Sequence, residues 1–209
     1  MSPRPAIDHI RRPQILRAAA EVITERGLAG TRVIDVAERA GTSAPAVLYW
    51  FESRERLLTE ALIADEEGFG GQLDIELAEL PTAAGKLRRL IELSTTDGDL
   101  SLWIELWARS LHDEAAAAER QRLDDDWRGR ISSVVAEGQE SGEFTAEIDP
   151  REAAVRIATM IDGLAVQVTL GDRDVDEERM LGICIDMVEL QLGADLSPEG
   201  AKPAEGMAA

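Results

Sequence analysis

The sequence predicts an all-α fold of about nine helices: a small N-terminal three-helix helix-turn-helix domain followed by a larger C-terminal helical bundle. Three observations predict it. Ala, Leu, Glu and Arg dominate the 209 residues, the usage of helical proteins. Apolar residues recur at spacings of three and four, and no stretch alternates with a period of two for long enough to build a sheet. Prolines, glycines and capping side chains fall where such helices would start and stop.

Residues 13–26, PQILRAAAEVITER, carry an apolar stripe at Ile15, Leu16, Ala19, Val22 and Ile23, opened by Pro13 in the first turn and closed by Gly27. Thr31 caps a second short helix, RVIDVAERA, with Val33, Ile34, Val36 and Ala37 facing inward and Gly41 as its left-handed stop. Ser43 caps a third helix, and Ser53 a fourth that starts RERLLTEALIADEE. Three short helices within about 40 residues, the last two joined by a tight glycine turn, match a helix-turn-helix unit. Gly68, Gly70 and Gly71 then interrupt or end the fourth helix, and Pro81 closes the next piece, LDIELAEL. Further helices are expected over 82–96, 100–112, 115–141, 150–169 and 175–192, with Asp149 as N-cap before Pro150. From Gly193 the chain is rich in Ala, Gly, Pro and Glu and reads as a disordered tail. The expected division is therefore 1–63, 64–193 and 194–209.

The formal net charge is −19, which at face value argues against a polyanionic partner. The distribution of that charge argues the other way. Residues 1–63 hold nine Arg against eight Asp or Glu, a net of +1, while the remainder holds 13 basic and 33 acidic residues, a net of −20. Two regions with different partners follow. The lone Cys184 lies in an apolar run and reads as a buried, reduced thiol in a cytosolic protein. His9 and His112 lie far apart without metal-ligand spacing, so no metal site is expected. The N-terminus has no apolar leader core and no run of 18 apolar residues occurs, so a cytoplasmic location without membrane partners is expected.

The run RPQILRAAAEVITERGLAGTRVIDVAERAGTSAPAVLYWFESRERLL resembles the N-terminal domain of TetR-type transcriptional regulators. The matching frame is Ile15, Ala18, Gly27, Thr31, Val36-Ala37, Ala40-Gly41, Ser43, Tyr49, Phe51, Ser53, Glu55 and Leu57-Leu58. The pieces LWIELWARSLHDE, DDDWRGRI, EGQESGEF and IDPREAAVRIATMIDGLAVQVTLGD are similar to the effector domain of the choline-repressor (BetI) subgroup. The resemblance implies a DNA-binding domain of four helices with the third as recognition helix, and a larger domain that binds a small effector and dimerises. Two departures stand out. Leu48 occupies a slot where many members have tyrosine, with tyrosine shifted to 49 and Trp50 after it; Arg54 replaces the usual lysine.

The candidate DNA contacts follow from this frame. Ala44, Pro45 and Ala46 open the third helix and allow close approach and apolar contact with thymine methyls. Thr42, Ser43, Tyr49, Trp50 and Arg54 supply phosphate or groove contacts, Tyr49 and Trp50 having core packing as their alternative. Thr31 and Arg32 stand at the second helix, Arg32 within reach of a guanine or a phosphate. Arg11 and Arg12 form a basic arm whose alternative is simple solvation.

In the larger region, the helix 100–112 is apolar on nearly all sides. Trp103 and Trp107 stand i,i+4 and read either as core or as a ligand wall; the resemblance implies that this helix borders the effector cavity. Glu105 reads as an ion pair with Arg109 or as an effector contact. Trp127 begins another apolar stripe. Asp162 sits at the shoulder of an apolar arc, where a carboxylate needs a partner from the chain or a cationic ligand. With Met160 and Gln167 these make the candidate effector set, for an amine or quaternary ammonium compound or, equally, an apolar ligand. Ile161, Leu164 and Val168, with Met180, Cys184, Met187 and Val188, form broad apolar faces. These read as intramolecular core or, by the resemblance, as a homodimer interface.

No catalytic triad order, nucleotide-binding glycine loop or paired catalytic carboxylates stand out, so neither enzyme activity nor a cofactor is expected. The reading is a ligand-responsive homodimeric repressor that releases a palindromic operator on binding a small effector. The alternative is a small-molecule-binding or protein-interaction dimer with weak or no specific DNA binding.

Overall fold

The computed structural model describes residues 5–96 and 100–198, apart from the side chains of 5–11, 66, 67, 69, 96, 100–102 and 105. Among the described residues there are nine helices and no strand. They are α1 (Pro5–Gly30), α2 (Val33–Arg39), α3 (Ala44–Phe51), α4 (Arg54–Glu79), α5 (Ala83–Thr96), α6 (Leu100–Ser110), α7 (Glu114–Ser141), α8 (Pro150–Thr169) and α9 (Glu177–Leu192).

The chain forms two compact units, one of Met1–Gln72 with Glu105–Glu119, the other of Leu73–Ile104 with Arg120–Ala209. The expected division at residue 63 falls inside α4, which is continuous.

In the first unit α1 packs on α2 and α2 on α3. Ile15, Ala19, Val22 and Ile23 are buried, as the stripe predicts, with Val36, Val47, Phe51, Leu57 and Leu58. Each large side chain so buried contributes about 1.5–3 kcal/mol. Helix α1 breaks at Gly27. It starts well before Pro13, which lies inside the helix and there removes the N–H that would close a bond four residues back. Thr31 is not the cap of α2. Arg32 holds that position without a side-chain bond, while the Thr31 hydroxyl turns back to the Gly27 carbonyl at 2.8 Å. The turn after α2 is a Schellman motif: Thr42 N–H donates to the Ala37 carbonyl (2.8 Å) and Gly41 N–H to that of Glu38 (3.2 Å). Gly41 adopts the φ of 64° this turn requires. Ser43 accepts from Ala46 N–H and Ser53 from Arg56 N–H, so both expected caps are formed.

The three glycines at 68, 70 and 71 do not break α4, and LDIELAEL is its last part. A glycine costs about 1 kcal/mol in a helix. Leu57, Leu58, Ala61 and Leu62 near one end and Leu73 and Leu77 near the other are buried, and that burial outweighs the penalty.

In the second unit α5, α8 and α9 pack on one another around a core that includes Leu87, Leu90, Ile91, Ile131, Val135, Ile157, Met180, Cys184 and Leu192. Asp149 caps α8 as expected, accepting from Glu152 N–H (3.0 Å), and Asp176 caps α9, accepting from Arg179 N–H (2.8 Å). Helix α5 is capped from afar, because Glu143 accepts from Ala83 and Ala84 N–H at 3.2 and 2.9 Å. Beyond α9 the chain does not become a free tail at once. Leu196 is fully buried, its N–H donates to Glu189 (2.8 Å) and its carbonyl accepts from Arg88 (2.7 Å). An apolar side chain that seats in the core holds this end even within a polar, glycine-rich composition.

Candidate DNA-reading helix and effector site

Helix α3 buries Val47 and Phe51 and turns the opposite side outward, with Leu48 41% and Tyr49 80% exposed. Pro45 is exposed, and Ala44, Ala46 and Trp50 are half-buried. Tyr49 and Trp50 meet edge to face at 5.7 Å and 82°, which positions the exposed phenol ring. Thr42 is half-buried and Ser43 exposed at the start of the helix.

The arginines are placed differently from the expectation. Arg54 lays its guanidinium under the α1–α2 junction, donating to the Thr31 carbonyl (2.8 Å) and the carbonyls of Leu28 and Ala29. Arg32 makes a bidentate pair with Asp35 at 2.8 Å on both contacts, and Arg26 joins at 3.0 Å. The Arg32 hydrogen bonds, with the charge of Arg26, hold the buried Asp35 carboxyl far below the usual carboxylate range. Arg12 pairs with Glu60 and lies over the Phe51 ring, 5.3 Å from its centre. Three of the four arginines expected to reach DNA are thus fastening their own unit; the side chain of Arg11 lies outside the described residues. Thr31 is fully buried and its hydroxyl bonded, so it shapes the turn rather than facing a phosphate.

In the second unit α7 carries Arg120, Asp124 and Arg128 at spacings of four, one ladder along one face. Arg120 pairs with Asp124, and Arg128 stands 3.9 Å from it with its Nε buried and unpartnered. Asp162 of α8 is half-buried, and among the described residues no hydrogen bond reaches it. Burial, then the Asp124 charge, push it up to about 6 against the opposing pull of Arg128 and Arg120. Burial raises Asp124 as well. Trp127, three residues on from Asp124, is half-buried against the core, as is Met160. Sequence reasoning missed Asp124, Arg120 and Arg128, although their i,i+4 spacing was the signal.

Other candidates scatter. Trp103 is half-buried, and Trp107 is half-buried with its indole N–H buried and unpartnered. Despite their i,i+4 spacing they make no ring pair; among the described residues the ring pair is Tyr49–Trp50. The Glu105 side chain lies outside the described residues, and Arg109 donates to the Thr59 hydroxyl of α4 at 2.8 Å. Gln167 is exposed. A surface groove of about 600 Å³ between the end of α4, α5 and α7 contains none of these residues; its Lys86 and Arg130 are paired with Glu137 and Asp74.

The dimer-face expectation needs correction. Met180, Cys184, Val188 and Ile161 lie in the core of their own unit, the first three at 0% exposure, and burial pushes the Cys184 thiol up to about 11. A second copy cannot cover what is already covered. Leu164 and Val168 are half-buried and Met187 is 49% exposed. The apolar groups that α8 and α9 leave exposed are Val155, Leu170, Met187 and Leu190, the last 80% exposed.

Comparison with known proteins settles the family. Residues 15–61 match the family model of bacterial regulatory proteins of the tetR family, and residues 84–193 that of the BetI-type transcriptional repressor C-terminal region. The chain belongs to the TetR family. It is a helix-turn-helix transcriptional regulator with a BetI-like, ligand-binding C-terminal domain. The transcriptional regulator BetI of Burkholderia ambifaria is 27% identical over 200 residues, 92% of this chain and all of that protein. BetI of Stenotrophomonas maltophilia is 26% identical over 92% of this chain and 98% of its own length. A transcriptional regulator from Saccharomonospora viridis, solved in complex with choline, is 31% identical with a TM-score of 0.76, covering 87% of this chain and 96% of that one. FadR of Bacillus subtilis, solved with stearoyl-CoA, is 22% identical with a TM-score of 0.62 over 88% of this chain and 98% of that one, a likeness of fold alone.

Proposed function

We propose that this regulator is a dimeric repressor released from its operator by a small organic cation of the quaternary ammonium class. The observation that carries the effector class is Asp162, a half-buried carboxylate to which no described donor is bonded. A cation placed beside it supplies the missing counter-charge, and Trp127 offers an aromatic face of the kind that takes alkylated ammonium groups. Asp124 is partly neutralised by Arg120 and Arg128, which leaves Asp162 as the unmet charge of the cluster. The Saccharomonospora viridis relative with choline bound supports the same class.

Dimerisation uses the outward side of α8 and α9, where Val155, Leu170, Met187 and Leu190 stand exposed. Two copies of that face make a four-helix contact and bring two α3 helices to successive half-sites. Effector binding then shifts the population toward a form whose two heads no longer match both half-sites.

The test uses purified protein and a palindromic duplex from the DNA flanking its gene. The protein retards the duplex, choline at millimolar concentration releases it and raises the melting temperature, and Asp162→Asn stays on the duplex. Retardation unaffected by choline, with no thermal shift, removes the effector assignment. Leu190→Glu is expected to lower the mass by light scattering to that of one chain, and an unchanged dimer removes the interface.

A further inference from the structure

The outward side of α3 presents the first unit with a problem of chemistry. From Ala44 to Leu48 the helix reads Ala-Pro-Ala-Val-Leu, five residues without one side-chain donor or acceptor. A guanine edge offers N7 and O6 to a donor, and an adenine edge asks for a paired donor and acceptor, commonly Asn or Gln. These five residues of α3 have neither. Five arginines of the unit are committed elsewhere: Arg32 to Asp35, Arg54 to the carbonyls of Leu28, Ala29 and Thr31, Arg12 to Glu60, Arg39 to Glu21 and Glu25, and Arg56 to Glu52 and Glu60.

What the helix does expose is apolar and held in place. Leu48 is 41% exposed on a helix whose other side is anchored by Val47 and Phe51 at 0%. Pro45 is rigid by its ring, and Tyr49 is held edge-on by Trp50. One feature of the major groove is complementary to such a surface, the C5-methyl group of thymine, which no other base of ordinary DNA carries.

We infer that α3 selects its operator through thymine methyl groups, with Pro45 and Leu48 as the specificity-determining side chains and the Tyr49 ring closing over the same edge. The inference rests on the assignment of α3 as the helix that enters the major groove. Each half-site then carries thymines, on either strand, at the steps facing Pro45 and Leu48. Phosphate contacts from the Tyr49 hydroxyl and the start of the helix set the register without reading sequence.

The experiment takes the full-length protein through selection from a random duplex library, then replaces thymines of the selected site one at a time with deoxyuridine. That exchange deletes the methyl and leaves every hydrogen-bonding group in place. The expected result is a loss of roughly fourfold in affinity at each contacted thymine, the worth of one methyl-sized group leaving water, and none at other thymines. A cytosine at a contacted position weakens binding, and 5-methylcytosine there restores part of the loss. Leu48→Ala, at an exposed position that tolerates truncation, brings thymine and uracil duplexes at its step to equal affinity while the salt dependence stays that of the wild type. Equal affinity of the wild type for fully thymine and fully uracil sites overturns the inference and leaves α3 as a DNA-binding helix. Enrichment of G·C steps at the α3 positions overturns it in the same way. Failure to enrich any duplex overturns it together with the assignment on which it rests.

Discussion

The two units handle charge in opposite ways. In the DNA-reading unit Arg12, Arg26, Arg32, Arg39, Arg54 and Arg56 are all spent on carboxylates or carbonyls of that unit. In the regulatory unit, drawn from the strongly acidic part of the chain, Asp162 is left half-buried with no described donor and Asp124 shares two arginines. A region that must present a fixed surface to a rigid polymer uses its charges as fasteners. On the proposed function, the regulatory unit keeps one charge unmet for a small-molecule partner to supply. Breaking a fastener should therefore cost stability, whereas removing the unmet charge should add it.

The largest effect is expected where packing alone decides. Gly138→Ala puts a Cβ 2.2 Å from the Phe144 ring, itself 3% exposed, and the regulatory unit should lose about 3 kcal/mol in a denaturant titration. A loss within 0.5 kcal/mol, a rough surface-site figure, would mean the ring moves aside freely. Next comes the main fastener of the first unit. Arg54→Met leaves the carbonyls of Leu28, Ala29 and Thr31 without their charged donor and should cost about 2 kcal/mol. If it is neutral, the contrast between the units fails on its first side.

The pH dependence sharpens the contrast, since the two carboxylates act with opposite sign. Asp162 has its folded-state pKa raised, so its contribution is fully present below the unfolded value and is lost as pH rises through about 6. Asp162→Asn should flatten that fall and stabilise the protein at pH 8 by about 1 kcal/mol, a figure reduced from the full shift because the group is partly solvated. Asp35 has its pKa depressed, so its contribution is present above the unfolded value, near 4 by the usual reference, and fades as pH falls below it. Asp35→Asn should lower stability above that pH and remove the acid-side loss. Thermal melts from pH 3 to 8 separate the two; parallel slopes in both variants would contradict the assignment. The smallest effect is expected at the exposed Arg156–Glu152 pair of α8, where Arg156→Met should change stability by less than about 0.5 kcal/mol.

Much of the architecture was legible in the residues because its signals are local. A cap such as Ser43, Ser53 or Asp149 satisfies N–H groups within three residues, and a left-handed Gly41 stops a helix wherever that helix packs. The same locality misled at Thr31, where the hydroxyl found a nearer carbonyl at Gly27. It also misled at the glycines of α4, whose intrinsic cost is small beside the apolar burial at both ends of that helix.

By itself the sequence determined the all-helical class, the helix-turn-helix frame, the split of charge along the chain and the apolar first turns of α3. Only the tertiary structure decided what those side chains are used for. Met180, Cys184 and Val188 form an apolar stripe that would lose water equally well against their own chain or a second copy, and the hydrophobic effect carries no label to tell the two apart. Arg12, Arg32 and Arg54 look on paper like cations for phosphate; their partners Glu60, Asp35 and the carbonyls before Arg32 come within reach through folding. Periodicity says which way a side chain faces on its own helix. What stands opposite is set by the rest of the chain.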